Sequence, residues 1–266
     1  RLRVFLVRHA ESANNELMRK YPRDFEERRA VDPSLSALGF EQAAGVAERL
    51  SNQKVQRVYC SAMLRAMQTA QPIGEKFGVP VKLWVDLHEV GGMYQFKNNP
   101  QGAVNEGHMG RTAQQIAQEF PSYQIPAEVG PNGWYDKAIG KESISRAKGR
   151  ADRIIRELLR MARESEPSSS EHAIVIVSHG DFLRLLMERL LRPGGKESGA
   201  LLSDQQMAFT NCGVSTLLID GDAATSFTSV ALLNLNNTGE LPPPVLKRDE
   251  IARPDEVEGP SQPSRL

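Results

Sequence analysis

Two apolar runs, each handing over directly to a histidine, constrain this chain more than any other feature. Residues 2–7 alternate and then turn wholly apolar, the mark of a buried strand, and Arg8-His9-Ala10-Glu11-Ser12 follows at the carboxyl end. Residues 173–177 (Ala-Ile-Val-Ile-Val) repeat the arrangement. They end in Ser178-His179-Gly180-Asp181 and lead into a helix with Phe182, Leu185, Leu186 and Leu190 on one face. Strands apolar on both faces belong to a largely parallel sheet covered by helices on each side. The remaining periodicity agrees. Leu38, Ala43, Val46, Ala47 and Leu50 recur at helical spacing behind Ser36 as an N-cap, and a strand is expected at 55–60. Ser61 should then cap a helix through Met63, Leu64, Met67 and Ala70, with Pro72 as its stop. A third strand is expected at 81–85, ending near His88 and Glu89. Two more, at about 213–219 and 226–233, flank Asp220-Gly221-Asp222 as a hairpin turn.

At 266 residues the chain has room for one large domain with an insertion, since domains run to about 150 residues. The expected organisation is a domain over 1–241 with a cap insertion at about 90–140, rich in Gly, Pro, Asn and Gln, before a long amphipathic helix at about 142–163. The Pro-rich stretch 242–266 reads as a disordered or surface-draped tail. With 40% hydrophobic and 25% charged residues, collagen-like, fully disordered and membrane-spanning classes are excluded. Lys plus Arg and Asp plus Glu are both 33, so no bulk attraction to nucleic acid or an anionic membrane is expected, and any anion site must be local. Cys60 and Cys212 form neither a disulfide framework nor a metal spacing and read as small buried residues, consistent with a cytoplasmic setting. The chain opens at Arg1 rather than Met, which leaves a preceding segment open.

In open α/β sheets the functional crevice lies outside the carboxyl ends of the strands. There the pattern delivers Arg8 and His9, then Ser61 and Arg65, then His88 and Glu89, then His179. Two arginines, two histidines and a carboxylic acid thus share one edge. Guanidinium forks match phosphate oxygens, and Arg65, one turn beyond Ser61, points back toward free amides at the helix start. A neutral histidine is a competent nucleophile when its other nitrogen is held, and Glu89 could protonate a leaving oxygen if burial or bound phosphate raised its pKa. Taken singly, each arginine would read as a surface ion-pair partner and His9 as a satisfied strand-end histidine; the convergence favours a phosphoryl pocket. By alternation His88 should face away from Glu89 and be structural or superficial, and His108 and His172 should be solvated. The pairs His9-Ala10-Glu11 and His179-Gly180-Asp181 could instead ligate a divalent metal. Two obligate cations beside a metal ion add like charge, so that alternative ranks below covalent histidine chemistry, with no metal and no cofactor expected.

The stretch Arg8-His9-Ala10-Glu11-Ser12-Ala13-Asn14-Asn15 resembles the signature of the histidine phosphatase superfamily, the phosphoglycerate mutase-like proteins. Leu35-Ser36 with Gly39 and Gln42-Ala43, Ser61 through Arg65 to Thr69-Ala70, Leu87-His88-Glu89, Ser178-His179-Gly180, and Asn211 before Gly213-Val214-Ser215 follow in the family's order, over roughly residues 2–241. The resemblance implies a three-layer α/β/α sandwich with a mainly parallel sheet and a small cap. It further implies that His9 is phosphorylated, that Arg8, Arg65 and His179 bind the phosphoryl group, and that Glu89 donates the proton. Asn15, Ser12 and Gly180 form the implied substrate-binding set, and a small phosphorylated substrate is the implied partner. Cofactor-dependent mutases of the family follow the Glu with Arg-His-Tyr-Gly, whereas this chain has Val90-Gly91-Gly92-Met93. A phosphatase is therefore the first expectation, a phosphoglycerate-type mutase the second, and a non-catalytic phosphate-binding module, recruiting through the tail, the third. Arg111 and Lys97 read as surface charges or as a grip on a second anion, Gly91 and Gly92 as a permissive lid entrance, and Trp134 as cap core. Oligomeric state has no signature in the pattern.

Overall fold

The computed structural model describes residues 1–100, 102–164, 172–191, 209–221 and 228–239. A six-stranded sheet of order β3-β2-β6-β1-β7-β8 is its centre. Strands β1 (Leu2–Arg8), β2 (Val55–Cys60), β3 (Val81–Leu83) and β6 (His172–Ser178) run parallel, so their carboxyl ends share one edge. Strands β7 (Val214–Gly221) and β8 (Thr228–Asn237) complete the sheet antiparallel. Alternation divides the core. Phe5, Val7, Val175 and Val177 pack with α3 (Ala37–Leu50) and α4 (Leu64–Phe77), while Leu2, Val4, Leu6, Ile174 and Ile176 pack with α6 (Ile144–Glu164) and α7 (Gly180–Leu191). That is the expected three-layer α/β/α sandwich, and burial of both faces explains the unbroken apolar runs at 4–7 and 173–177. Short helices α1 (Ala13–Lys20) and α2 (Phe25–Arg28) follow β1. The stretch expected to be a cap folds as a two-stranded hairpin, β4 (Tyr94–Asn99) and β5 (Gly102–Gly107), then α5 (Ala113–Glu119). Among the described residues no helix is long and apolar enough to cross a membrane.

Several local expectations need correction. Pro72 does not stop α4, which continues to Phe77 and ends on Gly78 in the left-handed conformation (φ 63). Ile73 and Gly74 bury in that last turn, with Gly74 so close to Val81 that a Cβ would sit 2.6 Å from Val81 Cγ2; this packing offsets the hydrogen bond Pro72 cannot make. Ser61 is not the N-cap, because the helix begins at Leu64, whose N–H donates to Asp32 Oδ1 at 2.9 Å. The third strand is only Val81–Leu83, after which a 3-10 turn over Val85–Leu87 buries Leu87 against the α6/α7 layer. Asp220 and Gly221 are strand residues paired with Ser229 and Thr228, and the connection beyond them lies outside the described residues, as does the Pro-rich tail.

Helix α3 starts where expected, with Ser36 Oγ accepting from Gly39 N at 3.0 Å, but Leu38 is 44% exposed. The inward position falls to Gly39, where a Cβ would lie 2.0 Å from the Glu11 carbonyl oxygen. No rotamer relieves a backbone clash of that kind. Gly39→Ala is expected to lower stability by about 2–3 kcal/mol, read from the denaturant midpoint, and an unchanged midpoint would refute the close approach.

Candidate active site

Strand β1 ends by placing Arg8 and His9 at the carboxyl edge of the sheet. His9 is 3% exposed and is fixed from three directions: its N–H donates to the Ser178 carbonyl at 2.9 Å, its carbonyl accepts from Asn211 Nδ2 at 2.9 Å, and Ala10 N–H donates to Thr69 Oγ1 at 3.0 Å. Nδ1 lies 2.7 Å from the Ala10 carbonyl oxygen. A carbonyl only accepts, so Nδ1 carries the proton and Nε2 keeps its lone pair. Nε2 receives a hydrogen bond from Arg65 Nε at 3.2 Å. Burial, followed by the charges of Arg65 and Arg8, holds the His9 pKa well below the ordinary imidazole range, so the ring is a neutral base.

Arg8 donates through Nη1 to the Phe209 carbonyl, while its Nε is buried without a partner among the described residues. Gly180 stands against it: a Cβ there would lie 3.3 Å from Arg8 Nε. His179, at 0% exposure, sets its ring centroid 5.1 Å from that of His9. Its Nε2 lies 2.9 Å from Ser61 Oγ, and its Nδ1 has no partner among the described residues. Burial first, then Arg65 and His9, hold the His179 pKa well below its usual value. Arg65, on the first turn of α4, feels both Glu89 and Asp32.

Glu89 follows the 3-10 turn, and its Oε1 accepts from Val90 N at 2.8 Å and from Phe182 N, in the first turn of α7, at 2.9 Å. Burial and then the Asp181 charge raise its pKa above the ordinary carboxylate range, against the opposing pull of Arg65 and the two N–H groups. The structure thus brings Arg8, His9, Arg65, Glu89, His179 and Gly180 to one edge.

Ser12 and Asn15 lie beside it but are engaged with each other. Ser12 Oγ accepts from Asn15 N at 3.2 Å, and Asn15 Oδ1 accepts from Ser12 N at 3.1 Å, a capping box that starts α1. Glu11 braces the loop, accepting from Ser36 Oγ at 2.9 Å and pairing with Arg19 at 3.3 Å. Among the described residues no three His, Cys, Asp or Glu come together at a spacing that could hold a metal ion.

His88 is buried and packs edge-on against Tyr135 and near Trp134, and Trp134 is buried in the same apolar cluster as β1, α3 and α4 rather than in a separate core of the cap. His108 is partly exposed, with its Nε2 alone buried and without a partner among the described residues; the side chain of His172 lies outside the described residues. A cleft of about 730 Å³ opens beside the centre, lined by Val31, Asp32, Met93, His108, Arg111 and Glu119 among others. Arg111 is not free to grip an anion there, since it pairs with Asp32 at 2.6 Å and Glu119 at 3.1 Å, and Lys97 pairs with Glu106. Sequence reasoning missed Asp32 and did not foresee the contacts of Thr69 with Ala10 and of Asn211 with His9. Of these only Asp32 had a local signal, an aspartate held extended by the following Pro33.

A family model for the histidine phosphatase superfamily (branch 1) matches residues 4–230. Phosphoglycerate mutase-like protein 4 of Arabidopsis thaliana is 28% identical over 243 residues, covering 90% of this chain and 89% of that protein. A glucosyl-3-phosphoglycerate phosphatase of Mycolicibacterium vanbaalenii is 25% identical over 193 residues, 71% of this chain and 74% of its own length. The solved structure of a mycobacterial glucosyl-3-phosphoglycerate phosphatase with VO3 shares the fold at a TM-score of 0.54 and 20% identity, over 88% of this chain and 98% of that one.

Proposed function

The chain belongs to the histidine phosphatase superfamily, and from that premise we propose that it hydrolyses phosphomonoesters without a metal, through a phosphohistidine at His9. The observation that carries the reading is a buried, neutral His9 whose Nδ1 is tied to the Ala10 carbonyl and whose Nε2 faces Arg65. The substrate phosphoryl group takes the place between Arg8, Arg65 and His179. Nε2 attacks phosphorus, the ester P–O bond breaks, and Glu89 gives its proton to the departing oxygen. Water then attacks the phosphohistidine, Glu89 takes its proton, and phosphate leaves with His9 neutral again. Arg8 and Arg65 offset the charge that builds on the equatorial oxygens, and with Oγ–H of Ser61 donated to Nε2 of His179, the Nδ1–H of that ring is free to join them.

Hydrolysis is favoured over mutase chemistry by the residues after Glu89. Gly92 has φ +69, and a Cβ there would fall 2.3 Å from the Tyr135 ring, so the aromatic side chain of the mutase motif has no room at this position. The test is phosphate release from p-nitrophenyl phosphate and a panel of small phosphometabolites in EDTA, with alkaline quench to trap labelled protein. Turnover that survives EDTA with an alkali-stable, acid-labile phosphoprotein supports the proposal. Loss of turnover in EDTA refutes metal independence, and isomerisation of a phosphoglycerate without phosphate release refutes hydrolysis.

The dependence of kcat/KM on pH should be bell-shaped. On the acid side activity falls only below the ordinary imidazole range, because burial, Arg65 and Arg8 depress the His9 pKa and the ring must be neutral to attack. On the basic side it falls as pH rises through the raised Glu89 pKa, because the proton donor is lost. Glu89→Gln should remove the basic limb and slow alkyl phosphates about 10²–10³-fold. A basic limb that persists in that variant would assign the proton donor elsewhere.

A further inference from the structure

The loop that carries Glu89 is held from behind by one buried arginine. Arg150 lies within α6 and is only 4% exposed. Its fork closes on Glu142, with Nε 2.7 Å from Oε1 and Nη2 2.6 Å from Oε2. Nη1 donates to the His88 carbonyl at 3.0 Å and to the Asp86 carbonyl. The backbone N–H of Glu142 donates to the Gly91 carbonyl at 2.8 Å. Carbonyls on both sides of Glu89 therefore end on this one ion pair. The guanidinium also lies 4.3 Å from the centre of the Phe182 ring, and the Phe182 N–H is one of the two that hold the Glu89 carboxylate.

Stability alone does not explain such a pair. Two ions taken from water into a core gain little over apolar side chains of the same volume. A Met or Leu would fill the space between α6 and the sheet, but neither could donate to two backbone carbonyls. Glu142 keeps its charge well into acid: burial pushes its carboxyl up, the hydrogen bonds from Arg150 and His88 outweigh that, and the result is a pKa of about 2. His88, whose Nε2 is 3.6 Å from Glu142 Oε1, has its pKa lowered by burial in spite of that contact.

We propose that Arg150, clamped by Glu142, is a positioning residue that sets the 86–91 loop so that the Glu89 carboxyl meets the leaving oxygen. The inference rests on the reading of Glu89 as proton donor. It separates from a merely structural role because proton donation matters unequally to different substrates. An alkoxide needs a proton to depart, whereas p-nitrophenolate leaves as a stable anion.

The experiment compares the full chain and Arg150→Lys on an alkyl phosphate and on p-nitrophenyl phosphate. Lysine keeps the charge against Glu142 but has no fork to hold the carboxylate and both carbonyls at once. The kcat/KM on the alkyl ester, which reports phosphorylation of His9 and not the later attack by water, should fall about 30-fold or more, as a misplaced acid does, while kcat/KM on the aryl ester stays within about threefold. An equal fall on both esters, or no fall on either, overturns the proposal. Should Arg150→Lys fail to fold, the isosteric Glu142→Gln carries the same test, with the same split expected and the absence of a split overturning it. Glu89→Gln is run alongside. If it shows the split and the clamp variants do not, the clamp alone is wrong; if it shows none, the proton-donor reading falls and takes the clamp with it.

Discussion

The His9→Ala variant is expected to lose phosphatase turnover by at least about four orders of magnitude, the size of effect seen when a covalent nucleophile is removed from an otherwise intact site. No phosphoprotein should survive an alkaline quench. Alanine cannot accept the phosphoryl group, and no other side chain at the edge replaces His9: His179 is turned by its Ser61 contact, and both of its nitrogens lie in a ring 5.1 Å away. Folding is not expected to fail with the chemistry, because the backbone of the loop is held independently by Ser178, Asn211 and Thr69. A cooperative melt close to that of the parent chain would confirm this. Retention of most of the turnover in a folded His9→Ala protein would eliminate the phosphohistidine route. Retention of a trapped phosphoryl group would move the nucleophile to another residue.

The layered fold and the convergence of the site residues are legible for one physical reason. Both faces of β1 and β6 are buried, so residues 4–7 and 173–177 stand out as continuous apolar runs, and a parallel sheet must bring their carboxyl ends together. Arg8, His9 and His179 need no further information to be grouped. The cap is less legible because the strands of its hairpin, Tyr94–Asn99 and Gly102–Gly107, bury little and pair mainly with each other, leaving no hydrophobic period to read. The end of α4 is hidden for the opposite reason: packing of Ile73 and Gly74 overrides the local signal of Pro72. Supporting contacts are hidden by distance. Asn211 reaches His9 across 202 positions, and no local pattern announces such a pair. Arg150 did carry a signal, since it sits on the same stripe of α6 as the buried Ala147, Ala151, Ile154 and Leu158, where a charged residue must have a partner.

Arg65 carries the second large expected effect, because in the proposed mechanism it faces both the nucleophile and the phosphoryl group. Arg65 Nε lies 3.2 Å from His9 Nε2, the nitrogen that attacks in the proposed mechanism. An arriving phosphoryl group, with more acceptor oxygens than Nε2 has lone pairs, draws the guanidinium onto itself and releases that nitrogen. Arg65→Met should therefore lower kcat/KM by about 10³-fold, comparable to loss of one fixed donor to a transition-state anion. Arg65→Lys should recover little of this, because an ammonium keeps the charge without the fork. The pH profile gives an independent check. Arg65 is the largest depressor of the His9 pKa after burial itself, so its removal lets that pKa rise and moves the acid limb of the residual activity to higher pH. A loss of activity without that movement would mean that Arg65 acts on the substrate alone and not on the nucleophile. Near-full activity in Arg65→Met would remove it from the phosphoryl pocket altogether.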